Sequence, residues 1–329
     1  MDITRPLIDS VLIGSLYSLM ALGVTLSYSI AKIANFAHGE LVTIGAYMAV
    51  IFTAVLPLGL PAALAASFTI PGMVALAAYL GVYNPLVKRG ARPVQLMVAS
   101  ITISIILRYL VYIAVDFSRR SYKLYLLNAA PRIKWGPGIY VGGIRLTGFF
   151  LVAVASCLAI VATLYLMLTK TRLGKAMRAL ADNPELAEAC GVNKDAVIAL
   201  VWILAGGLAG LSGLLWASYG RAYPEVGQRL LLSMFAAAVL GGLTSFWGTV
   251  LGGYVIGLTE NLGIFLLNQL FGLSTGYKPM ITFAVLILVL LFRPQGILPS
   301  QPETSPVYVA LARIRGKVKV GGEAECSTR

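Results

Sequence analysis

Residues 7–30, LIDSVLIGSLYSLMALGVTLSYSI, run apolar with Asp9 as the only charge, break at 31–40, AKIANFAHGE, and resume at 41–56, LVTIGAYMAVIFTAVL. About 20 helical residues cross the roughly 30 Å hydrocarbon layer of a bilayer. The first run is therefore long enough to span, and the polar break that follows sits where a span would end. A soluble protein can hide one such helix in its core, but not many of them.

The pattern repeats outward along the chain. Further apolar runs cover Ala62–Tyr83, with Pro71 and Gly72 inside it as an expected kink, and Val94–Val115, with Arg108 buried in it. Others cover Gly148–Leu168, Ala196–Tyr219, Phe246–Leu267 and Lys278–Phe292. Leu230–Leu243 is apolar but too short to span unaided, and Gly241-Gly242-Leu-Thr-Ser245 reads as a turn into the next run. The expected fold is an all-α integral membrane bundle of eight or nine passes, with broken or short helices near 31–40 and 230–245. Residues 1–298 form the membrane domain and 299–329 a basic tail.

Composition agrees. Of 329 residues, 58% are hydrophobic and only 12% charged, with a mean hydropathy of +0.84. Soluble domains carry about 25% charged residues. The net charge of +13 lies in short connections and in the tail rather than on one polar face, which argues against nucleic acid and for anionic lipid headgroups. Cys157, Cys190 and Cys326 are scattered and odd in number, so no disulfide framework or metal site is expected. The start, MDITRP, does not read as a cleaved secretory signal.

Three connections carry most of the polar information. The stretch 116–147, with Pro131, Pro137 and an alternating Ile139–Leu146, reads as a long loop ending in a hairpin. The segment 169–195 mixes both charge signs with helix formers, and Asn183 before Pro184 is a helix start. Gly191 then suits the end of that helix. If 31–40, 84–93, 169–195 and the tail share the cytoplasmic side, that side holds 15 of the 26 Lys and Arg residues, against 10 opposite and Arg108 within.

Within Asn35-Phe36-Ala37-His38-Gly39-Glu40 stand the chain's one histidine and a carboxylate two residues on. Polar groups at membrane helix ends cap helices, pair, or line water. One reading is an interfacial turn, with Asn35 ending a helix and Glu40 favoured at the next helix start. The other is a gate or path segment built from Asn35, Phe36, His38 and Glu40. Arg108, mid-run, is expected to pair with a carboxylate, and Glu260 is the more deeply placed candidate. Small residues at Gly206/Gly210, Gly248/Gly252 and Gly253/Gly257 suit close helix approach, within the bundle or between subunits. Ile44-Gly-Ala-Tyr47 and Leu251-Gly-Gly-Tyr254 are candidate marks of an internal repeat.

The run from Ala21 through Asn35-Phe-Ala-His-Gly-Glu40 to Ile44-Gly-Ala-Tyr47 resembles the branched-chain amino acid permease family of ABC importers. The resemblance continues at Thr171–Pro184, at Ala238-Val-Leu-Gly-Gly-Leu243 with Gly248, and at Arg293-Pro-Gln-Gly-Ile-Leu298. It implies a multi-pass permease of the cell membrane that pairs with a second permease subunit. It further implies two cytoplasmic ATPase subunits and an extracytoplasmic solute-binding protein, which the 116–147 loop would face. Importer permeases resemble one another in a coupling loop of form E-A-A-x-x-x-G. Glu185, Ala187 and Gly191 match it, with Leu186 for the first Ala and Arg178 upstream.

No G-x-x-x-x-G-K-[ST] phosphate loop occurs, so ATP and Mg belong on the partner subunits and this chain is expected to bind no cofactor and no metal. No catalytic residue is expected either. The resemblance implies branched-chain or other hydrophobic amino acids as substrate, with urea or short amides behind. A self-contained secondary transporter or channel is the alternative class; it would leave the amphipathic 175–190 segment unexplained. An intramembrane enzyme is more remote still.

Overall fold

A computed structural model describes residues 4–141, 144–293 and 296–298. The tail from Pro299, with Cys326, lies outside the described residues, as do Pro294 and Gln295. Helix α1 (Thr4–Ala31) is followed by α2 (His38–Val50), α3 (Leu60–Ala78), the short α4 (Asn84–Lys88) and α5 (Pro93–Tyr122). Strands β1 (Ile139–Val141) and β2 (Ile144–Leu146) form one antiparallel hairpin with Tyr140 in register with Arg145. Next come α6 (Gly148–Lys170), α7 (Arg172–Asp182), α8 (Pro184–Ala189) and α9 (Lys194–Tyr219). The bundle closes with α10 (Val226–Gly241), α11 (Phe246–Phe271) and α12 (Lys278–Phe292).

Two π-helical turns, Ile51–Val55 and Tyr79–Tyr83, prolong α2 and α3. With these included, eight helices among the described residues are long and apolar enough to cross a membrane. The helix α10, with 16 residues, is not. Yet topology requires it to return the chain. The Lys88–Asp195 ion pair (3.3 Å) joins α4 to the first turn of α9, and Lys32, Arg178, Thr244 and Phe246 line one cavity. The C-terminus of α1, the α7–α8 segment and the starts of α9 and α11 therefore share one end of the bundle. At the other end, Ala129 and Ala222 exchange backbone hydrogen bonds of 3.0 and 2.7 Å, and the Arg132 amide donates to Thr53 Oγ1. Since α9 departs from the first end and α11 starts there, α10 must run back between them.

The bundle is built from two inverted halves. Helix α1 packs on α11 as α9 packs on α3, and α2 packs on α3 as α10 packs on α11. Because α1 finishes at the end where α9 begins, the triplets α1–α2–α3 and α9–α10–α11 run in opposite senses. The halves meet at Gly39 and Gly227, each the second residue of its short helix. A Cβ on Gly227 would stand 1.7 Å from the Gly39 carbonyl oxygen, and one on Gly39 would stand 2.6 Å from that of Gly227. The repeat thus relates α2 to α10, whereas the match of Ile44–Tyr47 to Leu251–Tyr254 would set α2 against α11. That four-residue similarity is not the repeat.

All three small-residue pairs serve packing within the chain. Gly206 and Gly210 receive α3 at Ser67, Pro71 and Gly72; Gly248 and Gly252 receive α10; Gly253 and Gly257 receive α1. Pro71 lies inside α3, which continues through it. The outer faces of α5, α6 and α12 expose Ile105, Leu110, Ile113, Leu158, Leu166, Ile287 and Leu291, as lipid contact requires.

Two boundaries differ from the sequence reading. Helix α5 runs on to Tyr122, so the loop expected from 116 begins at Lys123. Asp116 and Arg120 pair at 2.9 Å across one turn, which lets the helix continue past its apolar run. The 169–195 segment is two helices rather than one. Thr171 caps α7 by accepting from the Gly174 amide (3.0 Å), and Asn183 caps α8 by accepting from the Leu186 amide (3.0 Å).

Candidate functional site

The chain does not leave the bundle between α1 and α2; it folds back in. Lys32 takes a left-handed φ of 53°, ending α1, and the next residues return so that Ile33, Asn35 and His38 are all buried. His38 Nε2 sits 3.1 Å from the carbonyl oxygen of Met20, eleven residues before the end of α1. At the usual rise per residue, α2 therefore starts about 16 Å inside the bundle. Gly23 makes the room, since a Cβ there would lie 2.6 Å from His38 Cε1.

Most polar groups of this corner have defined partners. Asn35 Oδ1 accepts from the Ala37 amide (3.1 Å) and from Tyr83 Oη (2.9 Å). It thus shapes the entry into α2 rather than ending α1. The Phe36 amide donates to Ser100 Oγ (3.2 Å), and its ring stacks on Phe235 of α10 at 5.0 Å. Glu40, in the first turn of α2, accepts on Oε1 from Arg108 Nε (3.0 Å), Arg108 Nη2 (2.8 Å) and Ser104 Oγ (3.2 Å). A carboxylate there also complements the positive end of the helix dipole.

The second short helix repeats this theme. Glu225, just before α10, accepts from Tyr112 Oη at 2.8 Å and lies 3.6 Å from Arg229. The Gly227 amide donates to Thr43 Oγ1 of α2 (3.0 Å). Arg108 and Tyr112 stand one turn apart on α5, so this single helix holds a carboxylate at the start of each inverted short helix. The sequence reading missed Tyr112, Glu225 and Ser104. Their signal was present: Ser100, Ser104, Arg108 and Tyr112 recur at every fourth residue, a polar stripe down one face of an otherwise apolar helix.

The Arg108–Glu260 pair is not formed. Arg108 binds Glu40, because α5 packs on α2 while α11 packs on α1 and α10. Glu260 is buried among hydroxyls instead. Tyr17 Oη donates to its Oε2 (2.8 Å), Ser233 Oγ to its Oε1 (2.7 Å), and Thr282 Oγ1 also donates to Oε1. Mid-run position said nothing of the direction each faces.

At the far end, α8 exposes Glu185 and Leu186 and buries Ala187. Gly191, at φ 86°, ends it in a conformation that favours glycine. Glu188 pairs with Lys194 at 3.0 Å, bracing α8 against the start of α9. Arg178 of α7 lines a cavity of about 450 Å³ with Lys32, Leu26, Leu164 and Trp247. Structure thus gathers Asn35, Phe36, His38, Glu40 and Arg108 into one site and Glu185, Ala187 and Gly191 into another. Arg178 lies beside the second, and Glu260 belongs to neither.

Comparison with known proteins identifies the family. A family model described as branched-chain amino acid transport system / permease component matches residues 7–290. A high-affinity branched-chain amino acid transport system permease protein, BraD, from Pseudomonas aeruginosa is 33% identical over 318 residues, covering 92% of this chain and 97% of the relative. A probable branched-chain amino acid transport permease protein, LivH, from Methanocaldococcus jannaschii is 31% identical over 88% of this chain and 90% of its own. The ribose import permease protein RbsC of Escherichia coli K12 is 32% identical over 132 residues, 38% of this chain. With a match that runs through nearly every helix of the bundle, the chain belongs to the branched-chain amino acid transport permease family.

Proposed function

We propose that this chain is the membrane-spanning subunit of an ATP-driven importer for branched-chain or other hydrophobic amino acids. The substrate class rests on the full-length relatives; similarity to the ribose permease covers too little of the chain to compete. The α7–α8 end is cytoplasmic, and two ATPase subunits carrying ATP and Mg dock on Glu185, Leu186 and the Gly191 turn. A second permease subunit packs beside this one, and a solute-binding protein delivers substrate to the opposite end, at the 123–147 loop. The Asn35–Glu40 corner is the gate, where two inverted half-bundles meet and one long helix touches both.

The observation that carries the coupling role is the uncovered α8. Its two caps are supplied within the chain, its inner residue Ala187 is buried, and its apolar Leu186 is left 62% exposed. A docking helix needs a firm footing and an open face. The test is reconstitution of this chain with its second permease subunit, ATPases and binding protein in proteoliposomes. Uptake of leucine that requires both ATP and binding protein is expected. Equal uptake without ATP would replace the importer reading with a secondary transporter or channel.

A further inference from the structure

We infer that Arg108 and Glu40 form an intramembrane site for the charged head of an amino-acid zwitterion, with the carboxylate on Arg108 and the ammonium on Glu40. The inference rests on the proposed function for its substrate class and adds the place where that substrate is held.

The geometry of the pair is incomplete in a directed way. Glu40 Oε1 takes three donors, while Oε2 is buried and has no hydrogen-bond partner. On Arg108, Nε and Nη2 are used and Nη1 makes no hydrogen bond among the described residues. A pair built only to be stable would close as a fork on both oxygens. Here a buried carboxylate oxygen and a guanidinium nitrogen of the same pair are both left without a partner. Tyr47 Oη, two turns further along α2, is also buried without a partner.

Position selects the ligand. Arg108 lies midway along α5, about 22 Å from the start of that helix and about 12 Å before the charged turn at Asp116, within the apolar run. Its side chain is 17% exposed, against 1% for Glu40, so a ligand arrives from the arginine side. Tyr109, next to it on α5, exposes an aromatic face that suits a hydrophobic side chain. A lone anion or cation would leave net charge at this depth, where charge is expensive. A zwitterion exchanges one neutral set of charges for another and satisfies both open groups. Buried ion pairs are poor stabilisers by themselves, so retaining one here fits a binding role better than a structural one.

The test uses the assembled permease–ATPase complex in nanodiscs without binding protein, with labelled leucine as probe. Competitors are unlabelled leucine, 4-methylpentanoate, which lacks the ammonium, and 3-methylbutylamine, which lacks the carboxylate. Each analogue should compete at least about tenfold more weakly than leucine, the worth of one charged hydrogen bond. Glu40→Gln, which keeps the shape and the acceptor for Arg108, should weaken leucine by about tenfold or more, as should Arg108→Lys. Arg120→Gln, at an exposed arginine of the same helix, should not.

Analogues that compete as well as leucine, unchanged binding in Glu40→Gln, or no saturable leucine binding at all would each overturn the site. If a variant fails to co-purify with the ATPase, the wild-type competition series still decides. Should the wild-type complex import leucine with ATP and binding protein yet show none of this discrimination, the site falls and the importer reading stands. Import of no amino acid would bring down both.

Discussion

Gly227→Ala is the sharpest probe of how the two halves meet. The added methyl would sit 1.7 Å from the Gly39 oxygen, 2.4 Å from the Gly39 carbonyl carbon and 2.6 Å from Thr43 Oγ1. Ordinary contact begins at 3.4 Å, so the two backbones would have to part by well over an ångström. Neither can do so cheaply: α2 is pinned at Gly45 against Gly210, and α10 at Gly241 against Gly248. Overpacking of this kind costs up to about 3 kcal/mol, while Gly to Ala inside a helix returns about 1 kcal/mol. A net loss of about 2 kcal/mol follows, roughly a thirtyfold fall in the folded ratio. Gly81→Ala is the matched control, because nothing lies within 4 Å of its new Cβ, and it should be neutral or stabilising. The assay is loss of the monodisperse chromatographic peak on heating in detergent, read as a half-life because unfolding of such proteins is irreversible. A Gly227→Ala protein as durable as Gly81→Ala would refute the close approach of α2 and α10.

Glu185→Arg or Leu186→Glu should abolish co-purification of the ATPase while leaving thermal durability unchanged, since both side chains are exposed; retained association would remove α8 from the coupling surface. Arg108→Leu should cost about 3–5 kcal/mol by stranding the Glu40 carboxylate. Adding Glu40→Leu should recover most of that yield, and adding Glu260→Leu should not. Tyr17→Phe leaves Glu260 Oε2 without its hydroxyl donor and should cost about 1–3 kcal/mol, seen as earlier aggregation on heating. His38→Cys, with the other cysteines removed, is fully enclosed in this state; a membrane-impermeant thiol reagent should reach it only when ATP and binding protein are present. A rate that never changes would make the corner a static turn.

Much of the bundle was legible in the sequence because membrane spans announce themselves by length and hydropathy. The short α10, the break at 31–40 and the Asn183 cap could all be read from residue types alone. What the sequence did not disclose was azimuth. Arg108 and Glu260 both lie mid-run, but hydropathy is blind to which neighbour each faces, so it does not single out Glu40 over Glu260 as the partner of Arg108. Nor did charge mark the end of α5, because an ion pair one turn long can carry a helix beyond its apolar run. The re-entrant path of Ile33 to Ala37 was hidden for a related reason. A polar break looks the same whether it surfaces or dives, and only the tight space at Gly23 distinguishes them.

The shortness of α10 bears on how the protein is made. Sixteen residues cover about 24 Å, less than the hydrocarbon layer, and Gln228 and Arg229 stand near its start. A nascent α10 released alone into lipid would expose backbone that only protein can cover. Its cover is α2, whose Thr43 receives the Gly227 amide from 184 residues further along the chain. The Gly39 face of the early helix must therefore wait in the membrane for its partner until α10 has been made. A chain truncated after α9 would leave that face of α2, and the Thr43 hydroxyl, without the partner the finished bundle supplies.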